Sequence, residues 1–102
     1  MTPADQFDLL SDVTYLLVDG LPAGWQRVTV DYAVAGAQVT VSASLLTAAG
    51  AASFAPARAV APLLARLRAG MAVDGRRWHA VSLVIEPSPR FTAEYRWEPP
   101  AR

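Results

Sequence analysis

The chain contains no cysteine and no lysine, and it has a single histidine, His79. Without cysteine there is no disulfide framework, no zinc–thiolate site and no thiol nucleophile. One histidine leaves carboxylates as the remaining metal ligands, so no metal site and no cofactor are expected. As a general base His79 would need a nucleophile and an orienting acid nearby. Asp74 lies five residues away across a turn, and Ser82 lies on the opposite face of the same expected strand. A half-exposed strand histidine is the better reading, and no catalytic residue is assigned.

Gly36, Gly50, Gly70 and Gly75 are scattered singly, and no glycine-rich phosphate-binding loop is present in the sequence. Glu86, Glu94 and Glu98 read as solvated acids and not as a hydrolytic carboxylate pair. Formal net charge is zero, which argues against a nucleic-acid binder. No apolar run approaches the ~20 residues of a membrane span. The N-terminal Met1-Thr2-Pro3-Ala4-Asp5 lacks the basic and apolar regions of a signal peptide. The expectation is a cytoplasmic protein that is not an enzyme.

The 102 residues, 53% of them apolar, suit one domain with one core. Thr2-Pro3-Ala4-Asp5 reads as a helix start, with Thr2 as cap and Asp5 as its reciprocal acid. Phe7, Leu10, Val13 and Leu17, widened by Leu9 and Leu16, then recur at helical spacing. Gly20 and Pro22 stop the helix, which is expected over residues 3–18. From Trp25 to Val34, apolar Val28, Val30, Tyr32 and Val34 alternate with Arg27, Thr29, Asp31 and Ala33, the pattern of a half-buried strand. After a turn at Ala35-Gly36, Val39, Val41, Ala43 and Leu45 give the apolar face of a second strand. Thr47 to Ala52 reads as a loop.

A second helix is expected between Pro56 and Met71, with Val60, Leu63, Leu64, Leu67 and Met71 buried. Pro62 predicts a short turn before it and the main helix after it. A turn at Asp74-Gly75 leads to a strand from Trp78 to Ile85. Glu86 to Arg90 turns into a last strand, Phe91 to Trp97, and residues 98–102 form a fraying tail. The fold class is α+β in the order α-β-β-α-β-β: a four-stranded antiparallel sheet covered on one face by two helices, forming a single domain over 1–102.

Two surfaces are candidates for binding a partner. Asp5, Asp8 and Asp12 recur at intervals of three and four, forming an acidic stripe on the first helix. A solvated helix face is the commoner role of such a stripe, and a docking surface for a basic partner is the functional alternative. Because the arginines gather around the second helix, the molecule is expected to be bipolar. The other candidate is the uncovered sheet face with Arg27, Asp31, Glu94 and Arg96, bordered by Trp97 at a strand end. Exposed Trp is enriched in binding hot spots, although capping the sheet end is the commoner role.

The stretch Arg77-Trp78-His79-Ala80-Val81-Ser82-Leu83-Val84-Ile85-Glu86-Pro87-Ser88-Pro89-Arg90-Phe91-Thr92-Ala93-Glu94-Tyr95-Arg96-Trp97, together with Gly24-Trp25, resembles the YezG-type immunity proteins of bacterial polymorphic toxin systems. Trp25, Trp78, Phe91 and Tyr95 carry the pattern, as structural positions. The resemblance implies a cytoplasmic antitoxin that binds a secreted toxin domain, such as a nuclease or another toxic enzyme, and occludes its active site. The chain is expected to be a monomer or weak homodimer, with no direct nucleic-acid or membrane contact. The alternatives are a small dimeric secretion or effector chaperone and a small-ligand-binding α+β domain.

Overall fold

The structure is a computed structural model and describes residues 2–56, 58–73, 75–87 and 90–97. The expected turn residues Asp74, Ser88 and Pro89, and the tail from Glu98 to Arg102, lie outside the described residues. The elements are α1 (Pro3–Val18), β1 (Arg27–Ala35), β2 (Gln38–Thr47), β3 (Gly50–Phe54), α2 (Val60–Gly70), β4 (Trp78–Glu86) and β5 (Arg90–Trp97). The fold is α+β, with an antiparallel sheet of five strands in the order β3-β2-β1-β4-β5.

The fifth strand corrects the expected four. β3, Gly-Ala-Ala-Ser-Phe, overlaps the segment read as a loop. It has almost no β-branched or aromatic content to announce it. What makes it a strand is main-chain pairing after a tight turn at Thr47–Gly50, with Leu46 opposite Ala51 and Ala43 opposite Phe54. Gly50 sits at φ 116°, in a region that side-chain-bearing residues rarely adopt.

α1 occupies its expected span. The Thr2 hydroxyl accepts from the Asp5 N–H (3.1 Å), and the Thr2 N–H donates to Asp5 Oδ2 (3.2 Å), a reciprocal cap with Pro3 opening the helix. The Thr2 backbone bond, followed by the Thr2 hydroxyl bond, holds the Asp5 carboxyl below its ordinary value of 3.8. A carboxylate lowered in the folded state stabilises it above the unfolded pKa, and that contribution is lost as pH falls through the folded value. Thermal stability should therefore drop below the ordinary carboxylate range, and Asp5→Asn should flatten that part of the pH profile. Thr2→Ala should lower stability by about 1 kcal/mol in a thermal unfolding scan. An unchanged midpoint would show that the cap contributes nothing.

α2 starts at Val60, later than the expected Pro56. Pro62 lies in its first turn, where the missing N–H would have had no intrahelical partner, so the helix continues through it. Arg58 and Ala59 form the short turn ahead of it.

The core lies between the helices and one sheet face. Leu9, Leu10, Val13 and Leu17 of α1 and Val60, Leu64 and Leu67 of α2 pack on Val28, Val30 and Tyr32 of β1 and Val81, Leu83 and Ile85 of β4. Trp78 is fully buried, out of step with the odd-numbered core residues of its strand. A register shift between Trp78 and Ala80 accounts for this: Trp78 pairs with Trp97, while Ala80 pairs with Arg96. The bulge turns the indole into the core. There it meets Tyr32 edge-on at 5.9 Å and Tyr95 at 5.6 Å. Burial pushes the Tyr95 phenol above its ordinary value.

Phe7 is a second correction. It belongs to the expected buried stripe but is 60% exposed. At 100° per residue Phe7 lies well round the helix from the Leu9–Val13–Leu17 line, and it overhangs the sheet edge formed by β5.

Candidate protein-binding surfaces

α1 presents three faces. One is the buried stripe. The second is the acidic row, Asp5, Asp8 and Asp12, all exposed. The third lies between them and was not singled out from the sequence: Phe7, Ser11 and Tyr15 rise one turn apart, beside Thr14 and Val18. Tyr15 is 67% exposed. With Phe91 at the start of β5 these residues line a largely apolar groove of about 310 Å³. The Phe7 and Phe91 rings meet at 5.7 Å, closing one end of the groove. The Thr14 hydroxyl donates to the Leu10 carbonyl (2.8 Å), so its proton is already engaged within the helix. Asp8 and Asp12 precede Tyr15 by seven and three residues, which sets carboxylates along the outer rim of the groove.

Asp5, Asp8 and Asp12 share a separate hollow of about 320 Å³ with Leu9 and Arg66 of α2. Arg66 of the second helix thus lines the same hollow as the acidic row, because α1 and α2 pack side by side.

The remaining predicted residues lie on the other side of the molecule. Cross-strand partners share a face, so the register puts Arg27, Thr29 and Asp31 together with Ser42, Ser44, Ser53, Ser82, Glu94 and Arg96 on the uncovered face. Ser82 Oγ donates to Asp31 Oδ1 (2.6 Å) and accepts from Arg96 Nη2 (3.4 Å), a polar chain across three strands. Glu94 stands opposite Ser82, and Arg27 lies at the strand end opposite Leu46. Thr29, Asp31, Ser42, Ser44 and Ser53 flank a shallow hollow of about 130 Å³. Trp97 is 37% exposed beside the buried Trp78, while Trp25 is half-buried against the core. The predicted residues thus fall on two opposite surfaces, helix layer and open sheet, and do not form one site.

His79 is half-buried at the far end of β4. It shares a hollow of about 420 Å³ with Val34, Gly36, Arg68 and Arg77. Arg68 Nε donates to the Trp78 carbonyl (2.7 Å), tying α2 to the bulge. Asp74, weighed above as a partner for His79, lies outside the described residues. Among the described residues no cluster of three or more His, Asp or Glu is placed to hold a metal ion. No helix among them is long and apolar enough to cross a membrane.

The class defined by this architecture is an α+β domain with helices on one sheet face. No protein-family model and no curated protein matches the chain.

Proposed function

We propose that this domain is an immunity protein: it binds a toxic enzyme domain in the cytoplasm of the producing cell and blocks its active site. The observation that carries the reading is the groove between α1 and β5. Two large aromatic side chains, Phe7 and Tyr15, stand mostly in water next to Phe91, and helical spacing sets Asp8 and Asp12 on the α1 face beside them. Exposed aromatic side chains in an apolar patch with a polar rim mark protein contacts, and aromatic anchors contribute most of the binding energy at such sites. A carboxylate rim favours a partner with a basic surface, which a nucleic-acid-cleaving toxin would present around its active site. The resemblance of residues 77–97 to YezG-type immunity proteins supports the same class. The open sheet face, with its hydrogen-bonded and solvated polar residues, is the weaker candidate.

The test is co-expression with the product of the neighbouring gene, which this reading expects to carry a toxin domain. Growth should be restored, and the two proteins should co-purify as a folded complex. A toxin that stays lethal and unbound sinks the reading. A complex formed only with an unfolded segment would favour the chaperone alternative.

A further inference from the structure

The two edges of the sheet differ in charge. β5 forms one edge and carries Arg90, Glu94 and Arg96. The other edge is stepped. β3 pairs with residues 43–47 of β2, which leaves Gln38–Ser42 of β2 with no strand beyond them among the described residues. No Asp, Glu or Arg occurs between Asp31 and Arg58, so this whole edge is uncharged. Its register runs unbroken, without a bulge, and its side chains are small: Gly50, Ala51, Ala52 and Ser53 are all exposed. Val39, 52% exposed, and the half-buried Phe54 add apolar surface on the helix side of the same edge. Soluble sheet proteins protect edges with charges, prolines or bulges, because free main-chain N–H and C=O groups template further pairing. β5 has such protection. The β2–β3 edge has none, although Val-Thr-Val in β2 has strong β-forming character.

We infer that this edge is a dimer interface in which β3 pairs antiparallel with β3 of a second copy, joining the two sheets into one of ten strands. Charge selects this edge for self-association. Two copies of β3 meeting about a twofold axis bring no charge to the seam, whereas β5 against β5 would crowd the ionised Arg90, Glu94 and Arg96 side chains along the joined edges, the kind of charge that protects an edge strand. Small Ala and Ser side chains let the backbones approach without a steric barrier. An isologous contact of this kind consumes the uncharged edge of both copies and closes. The outer edges of the joined sheet are then the two β5 strands, whose charges stop further growth. The groove formed by α1 and Phe91 lies at that opposite edge and stays open, so dimerisation and toxin binding are independent and can fail separately.

Sedimentation of the full chain over a concentration series should show a reversible monomer–dimer equilibrium. With the axis beside Ala52, Ala51 of one copy stands opposite Ser53 of the other. The double variant Ala51→Glu/Ser53→Glu should weaken dimerisation by about tenfold or more, since like charges directly opposite are destabilising. Ala51→Lys/Ser53→Lys should do the same, and mixing the two variants should restore a heterodimer. Thr92→Glu, on the β5 edge, should leave the equilibrium unchanged. Circular dichroism and thermal melts confirm that each variant folds. A chain that stays monomeric at the highest concentrations overturns the proposal. So does a dimer insensitive to the β3 charges, or one broken by Thr92→Glu. A toxin strand found on this edge, with no self-association in its absence, also overturns it.

Discussion

Trp78→Ala is expected to cost about 3–5 kcal/mol, the range for removing a fully buried large aromatic side chain. For a domain whose whole net stability is on the order of 5–15 kcal/mol, such a loss leaves a substantial unfolded fraction. Two features put Trp78 at the upper end. It is completely buried between Tyr32 and Tyr95, so truncation removes ring–ring contacts on both sides as well as apolar area. It also sits at the bulge that sets the pairing of β4 with β5. Nearby rigid strands cannot collapse far into the space left behind. The indole has one internal cost: Nε1 is buried and finds no hydrogen-bond partner among the described residues. An unpaired buried donor costs about 1–3 kcal/mol. Trp78→Phe removes that donor while keeping much of the ring, so it should lose less than half as much stability as Trp78→Ala. Urea unfolding of both variants decides the point. If Phe costs as much as Ala, the indole N–H is satisfied in solution or its full outline is needed, and the argument from the unpaired donor falls.

The sequence legible as periodicity became structure with few changes. Alternation in β1 and β2 and at Phe91–Tyr95, and the helical stripe in α1, are local patterns forced by burial on one side. The cap at Thr2 and Asp5 was legible for a chemical reason, since only certain residue types satisfy the free N–H groups of a helix start. β3 was not legible, because its pairing uses the main chain and its Ala and Ser side chains carry no alternation. The bulge at Trp78 was equally hidden. A register shift leaves the residue types of a strand unchanged while moving one of them to the other face.

The candidate surfaces were legible in parts. Spacing alone put Asp5, Asp8 and Asp12 on one helix face and Arg27, Asp31, Glu94 and Arg96 on the open sheet face. Their distribution over opposite sides depends on which strands neighbour one another, information that no single segment contains. The groove was missed because Phe7 fits the apolar spacing of α1 and so reads as core. Only the sheet order reveals that β5 is an edge, with no strand beyond it among the described residues to cover Phe7. One signal was available in the sequence: Tyr15, an aromatic residue eight positions after Phe7, falls outside the buried stripe.

Tyr15→Ala should weaken toxin binding by about 2 kcal/mol or more, the range of interface hot spots, or roughly 30-fold in Kd. Its stability should barely change, because the side chain is mostly exposed in the free protein and exposed substitutions shift folding by less than about 0.5 kcal/mol. That contrast separates a binding role from a structural one. Phe7→Ala should act in the same direction with some loss of stability, since its ring rests on Phe91. The acids act differently. Asp8→Lys combined with Asp12→Lys should slow association and reverse the salt dependence, as expected when rim charges steer encounter with a basic partner. Asp5 is left out of this set, because its carboxylate caps α1 and its loss would confuse binding with folding. Titration calorimetry gives the affinities, and stopped-flow at several ionic strengths gives the rates. If Tyr15→Ala and the double charge reversal both leave affinity and rate unchanged, the partner does not contact α1. The open sheet face around Asp31, Ser82 and Arg96 then becomes the surface to test, with Asp31→Ala as the first variant.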